Sequence, residues 1–235
     1  MLEWPVLTRG YRADGIFVFG YAVSMTVTQS HIRFIYFDLG NVLLHFDREI
    51  AFGRLAELSE VTPERVREIL QDQGLQDRYE RGNISTAEFH QEYSAAVGKQ
   101  LERDSMLEAG NAMFRANVPL IPVVTQLVAA NQRLGILSNT CEAHWDYCCD
   151  GRFGILSSAF EISVLSFQVG AMKPDLAIYE AAIKSAGVSP DEIFFTDDLT
   201  ENVEAAKEYG IDAVTFTSVS QLVAELRQRG IPFGY

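Results

Sequence analysis

Three acids close two apolar runs in this chain. Asp38 follows the run Ile32 to Phe37 in FIYFDLGN, and Asp197 and Asp198 end the run in EIFFTDD. An ionised carboxylate at the tip of a β-forming segment is costly unless something uses its charge. Two such acids brought together suit a hard cation with oxygen ligands. Magnesium takes one or two protein carboxylates and fills its shell with water and substrate phosphate, and Asp38 and Asp198 could supply those two. The segment ILSNT offers Ser138, Asn139 and Thr140, whose hydroxyl, amide and main-chain donors suit a phosphate oxygen. In MKPD, Pro174 keeps the preceding residue extended, so Lys173 stands on a non-helical arm where a compact ammonium could neutralise anions. Each group also has a plainer reading by itself: turn or cap aspartates, a capped turn, a solvated surface lysine.

The elements that must position these residues are legible in outline. A strand ends at Asp38, a second runs through RLGILS to the SNT turn, AFEISVLS is a third, EIFFTDD a fourth and DAVTFTS a fifth. Helical patterns alternate with them: IPVVTQLVAANQ, then KPDLAIYEAAIKSAG, LTENVEAAKEYG and finally SQLVAELRQRG. Strands alternating with helices predict a Rossmann-like, doubly wound parallel sheet with helices on both faces. In such sheets ligands bind outside the carboxyl ends of the strands. Asp38, the Ser138 cluster and the Asp197-Asp198 pair all fall at such ends, so three segments distant in sequence converge on one edge.

Between the first strand and the rest lies a block with helical spacing throughout, from about Arg48 to Asn117, in which no strand is expected. Thr62 reads as an N-cap with Pro63 at the first helical position, and Ser85 with Glu88 as a capping box. The organisation predicted is an α/β core over residues 31–46 and 119–235, an all-helical cap over residues 47–118 and an N-terminal extension over residues 1–30. Met25 is read as the natural start and residues 1–24 as not native. The apolar stretch IFVFGYAVSM loosely resembles a signal-peptide core, but Asp14 sits where such a segment wants positive charge.

Four motifs in order, FDLGN, ILSNT, MKPD and FFTDDLTENVEAAKEYG, resemble those of the haloacid dehalogenase-like (HAD) superfamily of hydrolases. The resemblance covers Ile32 to Arg229, and the spelling FDLGNVL is similar to the bacterial glucose 1-phosphate phosphatase-type subgroup. It implies a magnesium-dependent phosphatase acting on a small phosphorylated metabolite, with a sugar phosphate among the candidates. Asp38 would then be the nucleophile that becomes a phosphoaspartate. Ser138 and Asn139 would bind the phosphoryl group, and Lys173 would hold it together with Asp38. Asp198 would ligate Mg2+ alongside Asp38 and the Gly40 carbonyl, with Asp197 and Asn202 supporting from behind.

The chain departs from that pattern at Gly40, where most phosphatases of the family carry an aspartate that serves as general acid and base. A glycine keeps the carbonyl and lacks the acid, which puts in doubt a factor of about 10²–10⁴ in rate. Asn41 and His45 are the nearby groups considered as substitute donors. Two alternatives follow: a phospho-ligand-binding homologue with weak or no turnover, and a haloacid dehalogenase. The second is disfavoured by two acids at the fourth motif. Within the helical block, the polar run Arg78, Tyr79, Glu80 and Arg81 reads as a solvated face rather than as substrate contacts.

Composition narrows the classes. Among 235 residues, 32 acids face 19 lysines and arginines, a net charge of −13, which argues against nucleic acid as a partner. No run is long and apolar enough to cross a bilayer. Three cysteines, Cys141, Cys148 and Cys149, two of them adjacent, make neither a disulfide framework nor a metal spacing and suit reduced thiols in the cytoplasm. Oligomeric state leaves no trace in this pattern.

Overall fold

The computed structural model describes residues 30–234. The reading of residues 1–30 as an N-terminal extension and of Met25 as the start falls, apart from Ser30, outside the described residues. Strand β1 (Phe34–Phe37) opens the fold and is followed by β2 (Leu44–Phe46). Helices α1 (Arg48–Ser59), α2 (Pro63–Arg67), α3 (Leu75–Glu80), α4 (Thr86–Val97) and α5 (Arg103–Asn111) come next, with a π-helical turn, Glu68–Asp72, continuing α2. Strand β3 (Phe114–Ala116) leads to α6 (Ile121–Ala129), β4 (Arg133–Ser138), α7 (Glu142–Cys149), α8 (Gly154–Ser158) and β5 (Ile162–Leu165). The chain finishes with α9 (Ser166–Val169), α10 (Leu176–Ala186), β6 (Ile193–Asp197), α11 (Thr200–Glu208), β7 (Asp212–Thr215) and α12 (Val219–Gln228).

The main sheet has the order β5-β4-β1-β6-β7, and every pairing in it is parallel. Its strands are apolar on both faces because helices cover both, as parallel sheets require. Side chains of β1 alternate between two cores. Ile35 and Phe37 pack with Val123 and Leu127 of α6 and Leu222 and Leu226 of α12. Phe34 and Tyr36 pack with Ile178 and Ala182 of α10 and Val203 and Ala206 of α11. The register aligns Phe37 with Ile136 of β4 and with Thr196 of β6. One residue further on, Asp38, Leu137 and Asp197 therefore stand abreast at the carboxyl edge.

Helices α1 to α5 enclose a third apolar cluster of their own, including Phe52, Leu55, Ile69, Leu70, Phe89, Tyr93 and Met106. The caps read from sequence are present. Arg65 N–H donates to Thr62 Oγ1 at 3.3 Å, and Ser85 and Glu88 form the reciprocal capping box. One expectation is corrected: the stretch read as purely helical contains β3, which pairs antiparallel with β2. Three residues, Phe-Arg-Ala, are too few for a period of two to stand out against flanking helical windows. This small ribbon carries the chain out of the sheet after β1 and back before α6. Among the described residues no helix is long and apolar enough to cross a membrane, and Cys141, Cys148 and Cys149 are unpaired thiols.

The helical layer touches the sheet layer at defined points. Ser166 Oγ donates to the Glu80 carbonyl at 2.6 Å, and Arg81 Nη1 meets Asp175 Oδ2 at 2.7 Å. Between these contacts Gly82 has φ +70°, and a Cβ there would lie 2.1 Å from the Phe167 carbonyl oxygen. Gly98, the α4 C-cap, has a similar φ of +72° with nothing within 4 Å of its Cβ position. Gly82→Ala should therefore cost clearly more than Gly98→Ala, which carries only the left-handed backbone penalty of about 1–2 kcal/mol. Urea unfolding of both variants measures the difference, and equal losses would contradict the close approach at Gly82.

Candidate active site

The ammonium of Lys173 is the centre of the carboxyl edge. Its Nζ donates to Asp38 Oδ1 at 2.8 Å, to the Leu137 carbonyl at 2.9 Å and to Asp197 Oδ2 at 2.5 Å. These are the three residues that the strand register sets abreast. Lys173 is 4 % exposed, Asp38 7 % and Asp197 0 %. The lysine arm is fixed by its own backbone: Lys173 N–H donates to Asn139 Oδ1 at 2.7 Å, and Asn139 Nδ2 donates to the Lys173 carbonyl at 2.9 Å. The Asn139 amide is thus engaged in clamping the lysine segment. The Thr140 N–H is also engaged, at 2.9 Å from Ser166 Oγ, whereas the Ser138 hydroxyl has only a long contact of 3.4 Å to its neighbour's carbonyl.

The three acids are not equivalent. Asp197 takes Lys173, the Leu199 N–H at 2.8 Å and the Asn202 amide at 3.0 and 3.1 Å, so both its oxygens are occupied. Asp198 accepts from Asn41 Nδ2 at 2.9 Å and is only half-buried. One oxygen from each of Asp38, Asp197 and Asp198 lies within 4.8 Å of the others, a spacing that a single cation can bridge. With Asp197 saturated, Asp38 and Asp198 are the carboxylates available to a hard cation, and oxygen donors of this kind suit magnesium.

Electrostatics agree with that division. Burial drives the Asp38 carboxyl above the usual carboxylate range, Lys173 pulls it down, and Asp197 and Asp198 push it up again. Burial also disfavours the Lys173 charge, yet Asp38 and Asp197 outweigh it and hold the ammonium above its usual range. Asp198 is likewise raised, first by burial, then by Asp197 acting against the Asn41 hydrogen bond. Excess negative charge therefore waits beside one lysine, which is the condition a divalent cation relieves.

The glycine of the first motif has a steric explanation. A Cβ at Gly40 would lie 2.7 Å from Phe46 Cε1 and 3.2 Å from Cδ1. The ring of Phe46, delivered by β2, fills the space where an acid side chain would begin. The turn between them is closed by Asn41, at φ 54°, whose N–H donates to the Leu44 carbonyl at 2.6 Å. Asn41 reaches Asp198, whereas His45 is exposed on β2 opposite Arg115, and it is not among the residues lining the cavity described next.

A cavity of about 610 Å³ opens from Asp38, Gly40, Ser138, Lys173 and Asp198 into the helical layer. The polar run in that layer divides. Tyr79 and Glu80 line the cavity, whereas Arg78 pairs with Glu92 and Arg81 with Asp77 and Asp175. Burial raises the Glu80 carboxyl, opposed by a hydrogen bond from Gln76 at 2.8 Å and by Arg48. His144 also lines the cavity and is held down to about 4 by burial and by Arg48. Arg48, Glu80 and His144 were not distinguishable as cavity residues in the sequence, because they sit on three helices and share no motif. In the sequence Glu80 stands out only as a member of the polar run Arg78 to Arg81, which reads as a solvated face.

Comparison with known proteins bears on the same residues. A family model for haloacid dehalogenase-like hydrolases matches residues 32–210. D-ribitol-5-phosphate phosphatase of Bacteroides thetaiotaomicron is 25 % identical over 186 residues, which cover 77 % of this chain and 90 % of that protein. A HAD family enzyme of the same organism, solved with magnesium and inorganic phosphate, superposes with a TM-score of 0.73 at 28 % identity, covering 81 % of this chain and 98 % of that one. A structure described as a predicted HAD-like family hydrolase of Porphyromonas gingivalis has a TM-score of 0.75 at 28 % identity, over 84 % and 99 % of the two chains. With the matched segment running from β1 into the turn after α11 and the sheet edge built as described, this chain belongs to the haloacid dehalogenase-like hydrolase family.

Proposed function

We propose that this protein is a magnesium-dependent phosphatase that hydrolyses a small phosphorylated metabolite through a phosphoaspartate on Asp38. The observation that carries the reading is the buried Lys173 ammonium shared by Asp38 and Asp197, with Asp198 half-open beside them. Support comes from the related enzyme solved with magnesium and phosphate and from the phosphatase named among the relatives.

In this reading Asp38, Asp198 and the Gly40 carbonyl hold magnesium, which when bound offsets charge on the phosphoryl oxygens. The Asp38 carboxylate attacks phosphorus, the bond to the leaving oxygen breaks, and water later cleaves the acyl phosphate to free phosphate and regenerate Asp38. Lys173 keeps the nucleophile oriented and lowers the repulsion between carboxylate and phosphate. Ser138 donates to a phosphoryl oxygen, and Asn139 contributes by holding the Lys173 segment and through its main chain. Asp197 and Asn202 fix Lys173 from behind. Residues 47–118 act as a cap over the core of residues 31–46 and 119–235 and exclude water during transfer. A sugar 1-phosphate is one candidate substrate, because its anomeric hydroxyl is acidic enough to leave with little help. A second reading, a phospho-ligand-binding protein without turnover, is favoured by one observation, the replacement of the acid at Gly40 by the Phe46 ring.

Phosphate release from a panel of phosphomonoesters should need magnesium and stop with a chelator. Asp38→Asn should reduce it by about a thousandfold or more. Equal release by the variant would reject the mechanism, and tight beryllium fluoride binding with no turnover would favour the second reading.

Lys173→Met should leave Asp38 and Asp197 buried without their counter-ion, at a cost of about 3–5 kcal/mol in the metal-free protein. A carboxyl whose folded pKa lies above its unfolded value binds more protons when folded. Its contribution is therefore fullest at low pH and is lost as pH rises through the folded value. The variant's unfolding free energy should accordingly fall from pH 5 to pH 8 more steeply than that of the wild type; parallel profiles would contradict the pairing.

Gly40→Asp should lose about 1–3 kcal/mol through overpacking against Phe46. Adding Phe46→Ala in the same chain should relieve part of that loss in urea unfolding. A Gly40→Asp protein as stable as the wild type would show that the ring yields freely.

A further inference from the structure

The cavity is larger and less polar than a phosphoryl site needs. Protein interiors contain few voids bigger than a water molecule, so a cavity of about 610 Å³ between the sheet edge and the helical layer is a built space rather than a packing fault. Beyond Asp38 its wall includes Phe52, Leu55, Leu70, Phe89 and Met106, which also belong to the apolar cluster of that layer. At the Asp38 end the floor is the ring pair Phe46 and Phe114, with centroids 6.3 Å apart. The Arg48 guanidinium stands over Phe46 at 5.4 Å, and the Glu80 carboxyl is taken by Gln76. A polyhydroxylated leaving group would need a hydrogen-bond partner for each hydroxyl it buried; Gln71, Asp77, Asn111 and His144 offer such partners on one side of the cavity, whereas the aromatic and aliphatic wall offers none. The absence of an acid at Gly40 adds an independent demand: the leaving oxygen must depart without proton transfer from that position. A leaving group that is both apolar and an acidic hydroxyl compound satisfies both conditions.

Resting on the phosphatase reading, we propose that this cavity takes the aromatic leaving group of an aryl phosphate. The ring system lies among Phe46, Phe114 and the apolar wall. As the Asp38 oxygen–phosphorus bond forms, the phosphorus–aryloxy bond breaks, and the electron pair leaves on a phenolate oxygen whose charge the ring stabilises. The phenolate takes its proton from water after release.

Two series test this. In the first, kcat/KM is measured for phenyl phosphate, 1-naphthyl phosphate, glycerol phosphate and a hexose 1-phosphate with magnesium present. Phenol and naphthol have similar acidity, so their comparison isolates the second ring. The expected result is a gain of about tenfold from phenyl to naphthyl, from the added apolar burial. The naphthyl ester should also exceed both polar esters by about a hundredfold. A polar ester equal to or better than the naphthyl ester overturns the proposal while leaving the phosphatase reading intact.

In the second, calorimetry compares methylphosphonate with 1-naphthylphosphonate, neither of which turns over. Tighter binding of the naphthyl compound by tenfold or more is expected, and Leu55→Trp or Met106→Trp should remove that advantage without weakening methylphosphonate. Equal affinities overturn the proposal. If no ester is hydrolysed, the phosphatase reading fails and this binding series still decides what the cavity accepts.

Discussion

A buried ammonium between two buried carboxylates is the constraint around which the rest of this structure is arranged. Taking such charges from water costs several kcal/mol each, and only close geometry with further hydrogen bonds offsets it. Lys173 has that geometry: two carboxylates and one main-chain carbonyl within 2.9 Å. The set leaves one negative charge over from this lysine and its two acids, with Asp198 adding another beside them. A site built in this way is poised for a divalent cation and a phosphoryl group rather than for stability.

The sheet makes that arrangement possible. Placing β1 between β4 and β6 brings Asp38 level with residues about a hundred and more positions away. Parallel strands all end at the same edge, so each crossing helix returns the chain to deliver one more polar group there. Lys173 is the exception, arriving from the segment between β5 and α10, and this is why its backbone needs the clamp from Asn139. The helical layer is then held over the edge by Ser166 against the Glu80 carbonyl, by Arg81 against Asp175 and by the bare approach of Gly82 to Phe167.

Much of this was legible in the residues. Strand-terminal acids, the SNT turn and the lysine before Pro174 are local signals, and convergence at one edge follows from the strand–helix alternation alone. What escaped the sequence depends on contacts between segments. The β2–β3 ribbon is too short for periodicity to register. Gly40 reads as a missing acid, but that Phe46 occupies the vacated space is a fact about the ribbon's path. The run from Arg78 to Arg81 looked uniformly solvated, yet the twist of α3 turns Tyr79 and Glu80 into the cavity and leaves Arg78 and Arg81 to ion pairs. Asn139 has the position of a phosphate ligand in the motif, but its amide is engaged with the Lys173 backbone.

The most direct test of the central arrangement is a crystal structure of the protein with magnesium and beryllium fluoride. Beryllium should bond to one carboxylate oxygen of Asp38 with a fluoride within reach of Lys173 Nζ, and magnesium should bind Asp38, Asp198 and the Gly40 carbonyl while Asp197 stays with the lysine. Magnesium on Asp197, or a Lys173 side chain released to solvent with the analogue bound elsewhere, would contradict the account.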